Sequence, residues 1–187
     1  AKALKDHCGE GYKGVLYGGF MATRDGVKLI EYNARFGDPE AMNVLSILET
    51  DFIEVCEGII EGSLKKINLQ FKKKATVCKY AVPEGYPENP IKNRPIDISN
   101  VVNTDLLFYA SVDIKDGVLI ESGSRTIAAV GVSDSISSAE RIAEKNVSSI
   151  LSLPCLLTNS LQVPESTIFP SFIITTESHN LSTSFIL

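Results

Sequence analysis

Apolar and polar residues alternate along two runs near the start of the chain, "GVLYGGFMAT" (14–23) and "VKLIEYN" (27–33). They flank Arg24-Asp25-Gly26, and Asp-Gly between such runs predicts a hairpin whose central residues tolerate positive φ. Ahead of the hairpin, "KALKDHCGEG" ends a helix at Gly9 and Gly11. Beyond it the period lengthens to that of a helix, and Asp38-Pro39 opens a helical pair over about 39–61, with Asp38 as cap and Pro39 in the first helical position. Met42, Leu45 and Leu48 make the first apolar stripe. Asp51 caps the second helix, Phe52, Val55, Cys56 and Ile59 form its stripe, and Gly62 stops it.

The pattern turns to β after the basic stretch "GSLKKINLQFKKK", whose Lys72-Lys73-Lys74 run reads as solvated surface. "ATVCKYAV" is a strand, "PEGYPENP" a turn-rich loop, and "DLLFYASVDIKDGVLIES" a hairpin turning at Lys115-Asp116-Gly117. "RTIAAVGV" is a further strand. "SISSAERIAEKNVSSI" is a helix with Ala139, Ile142, Ala143, Val147 and Ile150 on one face. The expected fold class is α+β, divided into residues 1–66, residues 67–150 and a tail, 151–187. The tail has no Lys or Arg, and Glu165 and Glu177 are its charged residues. It reads either as a β extension or as frame-shifted or disordered sequence, and the second is preferred because its local signals agree on no structure.

Composition narrows the class. At 187 residues, 44% hydrophobic and 22% charged, the chain is long enough for one ordinary domain or two small ones with a packed core. A net charge of -5 and a pI near 5.1 give no electrostatic case for nucleic acid or an anionic membrane. No run of about 18 apolar residues is present to span a bilayer. "AKALKDHCGE" carries neither a signal core nor an initiator Met and reads as the middle of a longer, cytoplasmic protein. Cys8, Cys56, Cys78 and Cys155 lie at least 22 residues apart, without zinc or CxxC spacing, and are expected to be reduced and mostly core filler. His7 and His179 are isolated and support no metal site.

"LIEYNARFGDPEAMNVL" (29–45) concentrates the polar chemistry, placing Glu31, Asn33, Arg35, Asp38 and Glu40 at one strand-to-helix junction. Alternation puts Glu31 and Asn33 on one face with Leu29, about 7 Å apart along the strand, and leaves Ile30 and Tyr32 to bury on the other. A carboxylate and an amide oxygen at that spacing can share a Mg²⁺ ion, which takes one or two protein carboxylates and fills its octahedron with water and phosphate. Arg35 at the strand exit can grip phosphate or carboxylate. The helix start at Pro39 turns its positive dipole end the same way.

"GVLYGGFMATRDGVKLIEYNARFGDPEAMNVL" closely resembles the glycinamide ribonucleotide synthetase (phosphoribosylamine–glycine ligase) family of the ATP-grasp superfamily, its archaeal members above all. The resemblance covers about residues 10–150, and "GSRTIAAVGVSDSISSAERIAEKNVSSI" matches the family's C-terminal domain, with Arg125 at the Arg of its Gly-Gly-Arg turn. It implies that residues 1–66 are the C-terminal part of an ATP-grasp lobe. It also implies an ATP-dependent joining of glycine to 5-phosphoribosylamine through glycyl phosphate, with Mg²⁺ or Mn²⁺, in a protein that is a monomer at full length. By match, Glu31 and Asn33 are metal ligands bridging the ATP phosphates, Arg35 stabilises the transferring phosphoryl group, and Asp38 shapes the substrate side.

Three departures qualify what is implied. Many relatives carry Gln or Glu at the position of Gly19, twelve residues before Glu31. The family's N-terminal domains are missing, so the chain is expected to be inactive alone. Its usual Arg-x-Asp-Ile-Gly segment is replaced by the tail, which is expected to leave a sheet edge unpaired. Two alternatives stand beside the ligase: another ATP-grasp enzyme of purine synthesis, and a non-catalytic nucleotide-binding or interaction module. The Phe-Gly-Asp-Pro-Glu continuation argues against the first.

Overall fold

The computed structural model describes residues 2–152, 156–158 and 171–175, so Cys155, Glu165, Glu177, His179 and most of the tail lie outside the described residues. Helix and sheet are mixed, and the chain divides into two compact units. The first holds Ala1–Ala41, Leu48–Lys72 and Val163–Leu187; the second holds Met42–Ile47 and Lys73–Gln162.

In the first unit a short helix, α1 (Lys2–Cys8), ends at Gly9, whose φ of 79° lets its N–H return to the Lys5 carbonyl. Cys8 is exposed, against the expectation of a core position, because α1 buries no residue. The hairpin forms where the alternation predicts it, as β1 (Gly14–Thr23) and β2 (Gly26–Asn33). Its turn differs in detail. Thr23 pairs with Gly26, so Arg24 and Asp25 are the central residues, and Gly26 alone takes the positive φ, at 97°. A third strand, β11 (Ser171–Thr175), pairs antiparallel with the other edge of β1.

A β-bulge divides β2. Gly19 faces Glu31 while Phe20 faces Leu29, which leaves Ile30 as the extra residue. The bulge shifts the alternation by one, so Leu29 lies on the face opposite Glu31 and Asn33 rather than with them. Ile30 and Tyr32, expected to bury, are 58% and 54% exposed, and with the bulge they no longer share a face, Ile30 lying beside Glu31 over Gly19. Tyr32 instead meets the edge of the Phe20 ring.

The first predicted helix is shorter than its pattern: α2 runs Glu40–Leu45 and starts one residue after Pro39. Leu45 is exposed, and Ile47, just past the helix end, is the buried residue. The second helix, α3 (Phe52–Glu61), matches closely. Asp51 accepts the Ile53 N–H at 2.8 Å, Gly62 closes it in the left-handed region, and Val55 and Ile59 are buried.

The second unit is built on a four-stranded antiparallel sheet. Its strands are β3 (Ala75–Val82), β5 (Leu107–Tyr109), β8 (Ile127–Ser133) and β10 (Leu156–Thr158), in the order β10-β3-β8-β5. A short strand from the tail, β10, pairs with Tyr80–Val82 of β3. Two short pairs complete the unit: β4 (Ile96–Asp97) with β9 (Leu151–Ser152), and β6 (Val112–Lys115) with β7 (Val118–Glu121). The β6–β7 turn is the positive-φ type, with Asp116 at 52° and Gly117 at 78°.

The sheet carries apolar residues on both faces. Ala81, Leu107, Ile127 and Ala129 pack one side with Val147 and Ile150; Cys78, Tyr80, Val82, Ala128 and Val130 pack the other, with Met42 and Phe108. Helix α4 (Ile136–Ser148) starts at the Ser135 cap and lies so close to β8 that a Cβ on Gly131 would collide with the Ala139 carbonyl. That contact centres on small residues, Ala139 and Ala143, both fully buried, and leaves Ile142 at the border and 39% exposed. Lys79 reaches up from β3 to Glu144 at 2.6 Å and Glu140 at 3.1 Å, so its burial is paired.

Candidate functional site

The end of β2 places two of the predicted residues side by side. Tyr17 pairs with Asn33 and Gly19 with Glu31 across the hairpin, so all four lie on one face. The Asn33 Nδ2 donates to Glu31 Oε1 at 3.0 Å. An amide that donates through its nitrogen keeps its oxygen as an acceptor, and a carboxylate holding one such bond keeps a second oxygen. These two oxygens are hard donors on a solvent-facing strand end, which suits a divalent ion that retains several waters. Among the described residues no three His, Cys, Asp or Glu side chains gather in a metal-holding group. An ion here would therefore take one carboxylate and one amide from the chain. Opposite Glu31, a Cβ on Gly19 would rest at an ordinary 3.6 Å from Glu31 Cγ.

Arg35 is exposed just beyond the strand and its Nη1 donates to the Phe36 carbonyl. Asp38 is exposed in the turn that precedes α2, and the Asp38–Pro39 peptide bond is cis. The helix N-terminus forms one residue later than the sequence implies, with the Gly37 carbonyl accepting the Ala41 N–H at 3.0 Å. The structure thus joins Glu31 to Asn33 directly, and sets Arg35 and Asp38 in the segment that follows.

Three residues given no role from the sequence hold this segment. Tyr17, only 6% exposed, donates its hydroxyl to Glu40 Oε1 at 2.9 Å. Burial, then the bond to Glu40, then the charges of Glu40 and Glu31 push the Tyr17 phenol far above its ordinary value, so it stays a donor. The Tyr12 hydroxyl lies 2.9 Å from both the Val15 and the Ala34 carbonyls. Phe36 sets its ring against Phe52 at the start of α3, 5.9 Å between centroids. The glycine that leaves room for the Tyr17 ring is Gly37, where a Cβ would lie 3.0 Å from Tyr17 Cδ1, and no local sequence signal links the two.

Comparison with known proteins finds matches over most of the chain. The family model for the phosphoribosylglycinamide synthetase ATP-grasp (A) domain matches residues 1–41, and that for its C domain matches residues 76–154. Phosphoribosylamine–glycine ligase from Methanocella arvoryzae is 52% identical over 149 residues, covering 80% of this chain and 34% of the relative. The ligase from Methanocaldococcus jannaschii is 57% identical over 147 residues, 77% of this chain and 33% of the relative. The crystal structure of phosphoribosylamine–glycine ligase from Thermotoga maritima superposes with a TM-score of 0.67 at 25% identity, over 81% of this chain and 38% of that one. The chain spans about a third of the length of the curated relatives it matches. On two matching domains and these identities, the chain belongs to the phosphoribosylamine–glycine ligase family.

Proposed function

We propose that this chain supplies the magnesium–phosphate end of a ligase that joins glycine to 5-phosphoribosylamine at the expense of ATP. The observation that carries the reading is the Glu31–Asn33 pair, hydrogen-bonded on one face and followed by Arg35 and Asp38. Residues 1–66 then act as the C-terminal part of an ATP-grasp lobe and residues 67–150 as the C-terminal domain, in a cytoplasmic enzyme. Glu31 and Asn33 would hold Mg²⁺ or Mn²⁺, which when bound neutralises charge on the ATP phosphates. Arg35 meets the charge that develops on the phosphoryl group as the glycine carboxylate attacks it. Asp38 lines the side where the phosphoribosylamine nitrogen displaces phosphate from glycyl phosphate.

The test is Mn²⁺ binding to the 187-residue chain, followed by loss of the free-ion electron paramagnetic resonance signal. Glu31→Ala is expected to weaken binding by about ten-fold or more, and Asn33→Ala by less, since a carboxylate contributes charge and the amide a neutral oxygen. Equal binding by the parent and both variants would sink the assignment. The chain alone is expected to show no glycine-dependent ATP turnover, because positioning supplies most of the rate in phosphoryl transfer.

A second reading, a non-catalytic nucleotide-binding or interaction module, draws on Gly19, which offers no side-chain oxygen opposite Glu31. Mn²⁺ binding that depends on Glu31 and Asn33 separates the two, since a module that had lost the site would lack it.

A further inference from the structure

The segment from Ala34 to Glu40 carries Arg35 and Asp38 and is tied to the hairpin by side-chain hydrogen bonds. The ties come from two tyrosines. At one end the Tyr12 hydroxyl reaches the Ala34 carbonyl, the first residue after β2; at the other the Tyr17 hydroxyl holds Glu40, the first residue of α2. Both bonds span the hairpin rather than a local turn, their partners standing 22 and 23 positions apart in sequence. Each crosses a glycine at a distance that admits no side chain. A Cβ on Gly14 would come within 2.7 Å of the Tyr12 oxygen, and one on Gly37 would collide with the Glu40 carboxylate. The Tyr17 ring also faces Asn33 across the strand pair, so the same side chain borders the proposed metal ligands and anchors the loop after them.

We infer that Tyr12, Tyr17 and Glu40 are positioning residues: a pair of hydroxyl clamps that fixes both ends of the Ala34–Glu40 loop and so sets where Arg35 presents its guanidinium beside the Glu31–Asn33 face. Glu40 acts as the acceptor of a hydrogen bond, and its charge is not the operative property. This rests on the reading above for what Arg35 contacts, but the clamp itself is independent of it.

Amide hydrogen exchange in the 187-residue chain tests the clamp without any ligand. Tyr17→Phe and Glu40→Ala are each expected to speed exchange across residues 34–41, at the Ala41 amide above all, by about five- to ten-fold. Glu40→Gln still accepts from Tyr17 and is expected to stay within about two-fold of the parent. Unchanged exchange in Tyr17→Phe, or a Glu40→Gln variant as fast as Glu40→Ala, overturns the inference. The positioning role is read by a split in affinity. In Tyr17→Phe, Mn²⁺ affinity should hold within about two-fold while inorganic tripolyphosphate binding to the Mn²⁺-loaded chain falls about five-fold. Faster exchange with both affinities unmoved reduces the pair to a structural bond and also overturns it. If the parent binds no Mn²⁺, the ligase reading fails, and the exchange pattern still decides whether the clamp exists.

Discussion

Glu121 is 1% exposed and its Oε2 has no hydrogen-bond partner among the described residues. Burial lifts its carboxyl above the usual carboxylate range, and the nearby Arg94 guanidinium only partly offsets this. An acid harder to ionise when folded keeps a proton that the unfolded chain has released. Stability therefore falls as pH rises from the unfolded-state value, near about 4.3, through the higher folded one. Glu121→Gln is expected to flatten that decline, and thermal melts between about pH 4 and pH 8 check it; an unaltered slope would exclude Glu121 as its source. At the site, Gly19→Gln has room beside Glu31 and is expected to tighten Mn²⁺ binding by about three-fold or more through one added oxygen. Titration of that variant beside the parent decides it. Glu31 and Asn33 were legible because strand alternation is local, and their shared face is what the structure shows. Tyr17 and its bond to Glu40 were not, because a bond between residues 23 apart leaves no mark on the pattern of either neighbourhood.

Elements with their own start and stop signals formed where those signals lie. Helix α3 is capped by Asp51 and closed by Gly62, and both positions could be read without tertiary knowledge. Asp51→Ala should cost about 1 kcal/mol, seen as a lower denaturation midpoint, with the loss confined to the cap bond to Ile53. Helix α2 was overestimated because Met42, Leu45 and Leu48 have helical spacing but the chain leaves the helix after Leu45 to bury Ile47. Helix α4 depends on closeness rather than bulk. Replacing Gly131 by Val would push against the Ala139 backbone and is expected to lower the thermal midpoint by several degrees, corresponding to about 1–3 kcal/mol. The same substitution at Gly117, where a Cβ meets nothing within 4 Å but φ is 78°, would instead act through backbone strain alone.

For the molecule as a whole, the chain divides into two units, the second of which includes Met42–Ile47, and no described helix is long and apolar enough to cross a membrane. What the sequence could not convey is which apolar residues lack cover. Val27, Leu29, Ile30 and Tyr32 look like buried strand positions, yet every residue of β2 up to Tyr32 is exposed. A strand edge of this kind favours self-association. Val27→Lys, at the turn end of the strand and on the face opposite Glu31, is expected to reduce concentration-dependent light scattering without altering Mn²⁺ binding, and equal scattering from both proteins would count against this surface as the cause. Residues that make good neighbours in a longer protein and those that pack within this chain are indistinguishable by composition.

The bulge at Ile30 also bears on how the hairpin tolerates changes of length. Because one residue of β2 has no counterpart on β1, deleting Ile30 would let Leu29 and Glu31 pair with Phe20 and Gly19 as they already do, on an uninterrupted ladder. The end that carries Glu31 and Asn33 and the turn-bearing end are thereby decoupled in register. A single-residue loss that would invert an ordinary strand is absorbed here, giving this stretch of the gene a built-in allowance for one-codon deletion beside its most chemically demanding residues.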